Sequence, residues 1–213
     1  MLSALKRICQ KPEFRDELSY LYNLTDGEHR KNGKLDMSVG TSREKDLFAV
    51  LTKHSDALPI KWIDEQSSMY DGFIGGEPVS VKHKTSDEKI PTFKVKWTSD
   101  KECAEKSISK LTTDIWTDHI LFVQIGKNKK KIRIIFFEAE QIDRLIKYHK
   151  VFKMKIFKTK NTGENDRGVE FSMSFMQRLM NIAIINETFE HTYSGNSIDP
   201  IQRRMDLLGK FNA

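Results

Sequence analysis

Two adjacent glycines, Gly75 and Gly76, followed by Glu77 and Pro78, separate two short apolar runs. Paired glycines and a proline are turn chemistry, so the chain is expected to fold back here into a hairpin. Tyr70-Asp71-Gly72-Phe73-Ile74 leads in, and Val79-Ser80-Val81-Lys82-His83-Lys84 leads out. In the outgoing strand the valines alternate with Ser80 and Lys82, so Val79 and Val81 face a core while Ser80 and Lys82 point the other way. With the fold-back centred between Gly76 and Glu77, Asp71 lies across from Lys82, with Cβ atoms about 4.5–5.5 Å apart. A carboxylate and an ammonium on one hairpin face can be a solvated ion pair and no more. They can also be half of a cation site, since Mg²⁺ is held by one or two carboxylates, waters and substrate phosphate.

The flanking sequence supplies a second acid. Thr41-Ser42-Arg43-Glu44 reads as a capping box opening a helix to about His54, and Glu44 shares an inward stripe with Leu47, Phe48 and Leu51. Before it, residues 1–24 suggest a helical pair broken around Pro12, and 25–40 a polar loop carrying Met37. After the hairpin, the pattern predicts a strand over 90–98 and a helix from a second capping box at Ser99 to about Trp116. Strands at 119–125 and 131–137, a helix over 139–148, a lysine-alternating strand over 150–160 and another around 169–173 follow. Residues 175–185 read as a buried helix, and Ile201 to Leu208 as a last one. This order fits an α/β fold, a central mixed sheet flanked by helices. At 213 residues and 38% apolar, the chain is expected to form a single domain over 1–213. Its catalytic core would span about 41–137, with about 150–213 adding contacts to a partner.

A formal charge of +6 points toward a polyanionic partner. The two cysteines, Cys9 and Cys103, form no CxxC, which argues against a disulfide scaffold or a structural zinc. No apolar run approaches the roughly 18 residues that a membrane span needs. The first residues lack a signal-peptide pattern, so a cytoplasmic location is expected. The histidines show no metal spacing, and there is no Gly-rich phosphate loop, HExxH or GxSxG.

A helix bearing Glu44, then Asp71 at the start of a hairpin, then Lys82 on its second strand resembles the PD-(D/E)xK nuclease superfamily. Ser80 stands where that family carries its second acid, and Glu44 takes that acid's place. With a methionine, Met37, shortly before the glutamate, the set is similar to the ThaI type of type II restriction endonuclease, which cuts CGCG. The resemblance spans roughly residues 35–85 and rests on these four positions. It implies a Mg²⁺-dependent nuclease with Glu44, Asp71 and Lys82 as catalytic residues. Glu44, Asp71 and the Val81 carbonyl would bind the metal, and a homodimer would act on a palindrome in double-stranded DNA. It also implies that Met37 wedges between base pairs; the alternative is a methionine that merely covers the helix start.

A rival D-x-K, Asp87-Glu88-Lys89, lies in what reads as a solvated turn. Phosphate contacts are expected from Lys127, Lys129, Lys130, Lys131, Arg133 and the lysines of 150–160, and from Lys84 beside Lys82. Base contacts are expected from Lys31, Asn32 and Lys34; from Asn161, Asn165 and Arg167; and from Asn196, Gln202 and Arg203. A structure-specific repair or recombination nuclease of the same superfamily, and a non-catalytic DNA-binding protein, are the alternative functions.

Overall fold

The computed structural model describes residues 1–31, 34–35, 38–63, 70–98, 101–127, 131–148, 155–158 and 167–190. In chain order these form α1 (Leu2–Gln10), α2 (Pro12–Glu28), β1 (Arg30–Lys31), β2 (Lys34–Leu35), α3 (Val39–Lys53), β3 (Ile60–Trp62), β4 (Gly72–Ile74), β5 (Glu77–Thr85) and β6 (Lys94–Thr98). There follow α4 (Lys101–Thr113), β7 (His119–Ile125), β8 (Lys131–Phe137), α5 (Ala139–Tyr148), β9 (Lys155–Lys158), β10 (Arg167–Glu170), α6 (Met173–Asn181) and β11 (Ile185–Glu190). Pro12 occupies the first position of α2, where its missing N–H deprives the helix of nothing.

A six-stranded sheet in the order β11-β8-β7-β5-β4-β3 organises the fold. Its neighbours are antiparallel except β5 and β7, which run parallel and are linked through β6 and α4. Both faces are covered, and β7 shows why its sequence is apolar from Ile120 to Val123. Leu121, Val123 and Ile125 pack with Phe14, Leu18, Leu47, Phe48 and Leu51 of α2 and α3. Ile120 and Phe122 pack on the other face, with Ile142 of α5 and Phe175 and Leu179 of α6. A strand buried on both sides reads as a continuous apolar run. Truncating a core phenylalanine such as Phe122 to alanine costs about 3–5 kcal/mol. A second sheet, β6-β10-β9, lies against this second core through Val169. No helix among the described residues is long and apolar enough to cross a membrane.

The hairpin forms where expected, in a different register. Gly75 (φ +63°) and Gly76 (φ +86°) both take the left-handed region and close a two-residue turn by themselves. The ladder therefore pairs Ile74 with Glu77, Phe73 with Pro78 and Gly72 with Val79. Glu77 and Pro78 belong to β5, so the fold-back is centred between the glycines and Asp71 is not opposite Lys82. The helix expected to start at Thr41 starts earlier, at Val39. The Thr41 capping box does not form, because Thr41 already lies inside the helix, whose cap is Ser38. Ser38 and Ser42 both bond the His29 ring instead. Part of the 25–40 loop is ordered structure: α2 continues to Glu28, and β1 pairs with β2.

Candidate active site

Asp71 immediately precedes β4. Its amide donates to the Val79 carbonyl (3.0 Å), and its Oδ2 accepts from the Val81 amide (2.6 Å). The carboxylate thus caps β5 from across the hairpin, with its orientation fixed by backbone. Lys82 projects from β5 so that its Nζ lies 3.7 Å from Asp71 Oδ2, with both side chains about 30% exposed. The displaced register leaves the two diagonal rather than directly opposed, and the long lysine stem spans the difference. As a stability device a pair this exposed is worth about 0.2–1 kcal/mol.

Glu44 comes from α3, one turn ahead of Phe48 on the same face. The Phe48 ring fills the space that a side chain at position 72 would take. A Cβ on Gly72 would stand 2.5 Å from Phe48 Cζ and 2.5 Å from the Lys61 carbonyl oxygen. That close approach seats α3 on the hairpin beside Asp71. Lys45 Nζ lies 4.6 Å from the centroid of the Trp62 ring, which ties the same turn of α3 to β3. Burial pushes the Glu44 carboxyl up to about 7, the negative charge of Asp71 adds to the rise, and the charge of Lys82 opposes it. The three groups predicted from sequence therefore share one electrostatic environment.

Behind them, α2 and α3 are joined by a buried polar layer that the sequence reading did not identify. Arg43 pairs with Asp26 (Nε to Oδ1, 2.9 Å), and Thr25 donates to Asp46. Tyr22 Oη lies 2.9 Å from Nε2 of His83. His83 Nδ1 is buried with no hydrogen-bond partner, and burial holds the imidazole neutral, its pKa lowered to about 3. His83 is thus a neutral, packed ring.

The second unforeseen residue is Asp118, just before β7. It stands beside the Ser80 hydroxyl and feels the charges of Lys82 and Asp71. Burial pushes its carboxyl up while the Ser80 hydroxyl and Lys82 pull it down. An acid directly ahead of an apolar strand is visible in the sequence. The parallel pairing of that strand with β5 is not.

The donor chemistry suits a hard divalent cation. No group of three or more His, Cys, Asp or Glu that could hold a metal ion occurs among the described residues. Mg²⁺ does not require one, because it typically uses one or two carboxylates and keeps several waters. Two carboxylates held close enough for one to raise the other's pKa are in the state that a cation would relieve.

The other predicted residues are distributed as follows. Lys84, on β5, bonds Glu88 (2.9 Å) and Thr92 (3.4 Å). Lys34 lies in β2 and Arg167 at the start of β10, opposite Thr98 and Lys158. Arg133 bonds Asn186 and the Lys89 carbonyl. Met37, Asn165 and Arg203 lie outside the described residues. The rival Asp87-Glu88-Lys89 follows the end of β5, exposed: Asp87 accepts from the Lys127 amide (2.9 Å) and Glu88 pairs with Lys84.

Comparison with known proteins adds to this geometry. No curated protein sequence matches the chain significantly. Among solved structures, a restriction endonuclease in complex with substrate DNA superposes with a TM-score of 0.70 at 22% identity, covering 97% of this chain and 99% of that one. At that identity the likeness is one of fold, and it matches the mixed six-stranded sheet flanked by helices. The family profile for Restriction endonuclease ThaI matches residues 6–207, nearly the whole chain. With Glu44, Asp71 and Lys82 gathered on that fold and the profile running from α1 past β11, this chain belongs to the ThaI restriction endonuclease family.

Proposed function

We propose that the chain is a type II restriction endonuclease that hydrolyses double-stranded DNA at a short palindrome, CGCG, using Mg²⁺ and acting as a cytoplasmic homodimer. The observation that carries this reading is the meeting of Asp71, Lys82 and the half-buried Glu44 at one end of a glycine-turned hairpin. Glu44, Asp71 and the Val81 carbonyl would hold the metal. Bound there, Mg²⁺ would offset charge on the scissile phosphate and lower the pKa of a coordinated water. Asp71 is aimed by the Val81 amide, so its carboxylate needs no reorganisation. Lys82 acts as a point charge, hydrogen-bonding the attacking water or a phosphate oxygen.

The structural neighbour's complex with substrate DNA supports duplex DNA as the partner. A palindrome is read by two-fold related subunits, which supports the dimer. Lys34, Lys84, Asn165, Arg167 and Arg203 would contact the duplex, and Met37 would insert between base pairs. In this reading residues 1–213 form one nuclease domain, with its catalytic core at about 41–137 and DNA contacts added from about 150–213.

Digestion of a plasmid bearing a single CGCG site, with and without Mg²⁺, tests the proposal using wild type, Asp71→Ala and Lys82→Ala. Expected are Mg²⁺-dependent linear product from wild type and none from either variant. Undiminished cleavage by both variants would reject the site, and discrete cutting elsewhere would reject the palindrome.

A further inference from the structure

Position 80 holds a serine where the hairpin of a metal nuclease would carry an acid, and Ser80 is only 5% exposed. Its hydroxyl stands beside the Asp118 carboxyl, whose ionised form it favours. The parallel ladder explains how Asp118 comes to be there. Val79 pairs with His119 and Ser80 with Ile120, so the residue before His119 projects from the same sheet face as Ser80 and Lys82. The loop that delivers it is pinned. The Asp118 carbonyl accepts from the Trp116 indole (2.6 Å), and the Trp116 amide donates to Asp143 of α5 (3.1 Å).

A hydroxyl has one proton and two lone pairs. With its O–H turned toward Asp118, Ser80 Oγ can only accept from its other side, the polarity that a carboxylate oxygen would have. We infer that, while Glu44 takes over the metal-binding charge of the acid absent from the hairpin, Ser80 and Asp118 together supply the acceptor it would have given at position 80, with Asp118 acting as a positioning residue that turns Ser80 Oγ into an acceptor for the Lys82 ammonium or for a metal-bound water. This rests on the proposed function, because it needs a metal-dependent cleavage at Asp71 and Lys82. It adds a fourth side chain to that site, contributed by a strand on the far side of β5 from Asp71.

The test measures plasmid cleavage against Mg²⁺ concentration, duplex retention in Ca²⁺ and the thermal midpoint, for Asp118→Asn, Ser80→Ala, the double variant Asp118→Asn/Ser80→Asp, and Asp71→Ala. Loss of an outer partner of a metal site typically costs 10–100-fold in activity or metal affinity. Asp118→Asn and Ser80→Ala should each lose about that much cleavage at limiting Mg²⁺, with a raised Mg²⁺ midpoint and unchanged duplex retention. Ser80→Asp should return most of the activity to the Asp118→Asn chain, since it supplies the carboxylate directly. Wild-type Mg²⁺ dependence in Asp118→Asn overturns the assignment. So does a loss that tracks a lowered thermal midpoint and is not recovered by Ser80→Asp. An inactive Asp71→Ala beside a fully active Asp118→Asn removes only Asp118, whereas an active Asp71→Ala removes the proposed function and this inference with it.

Discussion

The ring of Phe48 occupies the volume that a side chain on residue 72 would need, and Gly72 is the residue next to Asp71. Gly72→Ala would drive a methyl group into both that ring and the Lys61 carbonyl, and a backbone oxygen cannot swing aside. Overpacking of this kind costs about 1–3 kcal/mol. Because the contact also sets the distance between Glu44 and Asp71, Gly72→Ala should lose cleavage out of proportion to its thermal midpoint. A Gly72→Ala protein that unfolds several degrees early yet cuts at the wild-type rate would separate the packing from the site.

Glu44, held at about 7 by burial and by Asp71, is half protonated near neutrality. Only the carboxylate is a metal ligand, so proton and Mg²⁺ compete for it. At limiting Mg²⁺, cleavage should fall as pH drops through 7. A tenfold rise in Mg²⁺ should move the midpoint toward acid by up to about one pH unit. Chelation with EDTA should abolish cleavage, and Mg²⁺ should restore it. A midpoint that ignores Mg²⁺ concentration would exclude Glu44 as a ligand.

His83 makes stability depend on pH in a predictable direction. Its folded pKa is lowered to about 3 from an ordinary 6.5, chiefly by burial. Between those values the unfolded chain binds a proton that the folded chain refuses. The stabilising effect is therefore fully present above about 6.5 and is lost as pH falls toward 3, at up to about 1.4 kcal/mol per pH unit. Glu44, whose carboxyl is raised, acts with the opposite sign over part of that range. The difference between wild type and His83→Gln in urea unfolding at pH 4 to 7 isolates the histidine. Parallel pH profiles for the two proteins would mean that the ring is protonated in the fold.

The Arg43–Asp26 pair is almost completely buried, with side chains 5% and 3% exposed. Breaking such a pair leaves an uncompensated charge and costs about 3–5 kcal/mol, whereas an apolar replacement of both partners is often neutral. Asp26→Ala should lower stability by about that amount, and Arg43→Met/Asp26→Leu should recover most of it. If the double variant were as unstable as the single one, the pair would be contributing more than charge balance. Since Arg43 adjoins Glu44, the cleavage rate of the double variant reports whether the pair also aims the acid.

What the sequence made readable was what local chemistry dictates. The bounds of β7, β8 and α5 agree with the pattern to the residue, because each is a strong apolar run or amphipathic stripe with a polar or charged boundary. Glu44, Asp71 and Lys82 were legible because turn glycines and an amphipathic stripe fix their directions. The errors share a cause: a local signal with two solutions. Gly75-Gly76-Glu77-Pro78 can turn over two residues or four, and positive φ at both glycines decided for two. Val39 to Arg43 can start a helix at either end of Thr41. Ile185 to Glu190, at whose first residue the expected helix ended, is β11, because its partner β8 offers an open edge that nothing nearby in sequence announces. Asp118 depends on pairing between residues 40 apart in the chain and could not be seen locally.

The ladder between β5 and β7, the one parallel pairing among the described residues, has a final implication. Slipping one strand by a residue would exchange the faces of all its side chains at once. It would thrust Leu121 and Val123 into the chamber lined by Ile142 and Phe175, and Ile120 and Phe122 toward Phe14 and Leu47. It would also bring His119, not Asp118, alongside Ser80. Two greasy interiors thereby act as the gauge that keeps the polar groups between them in step.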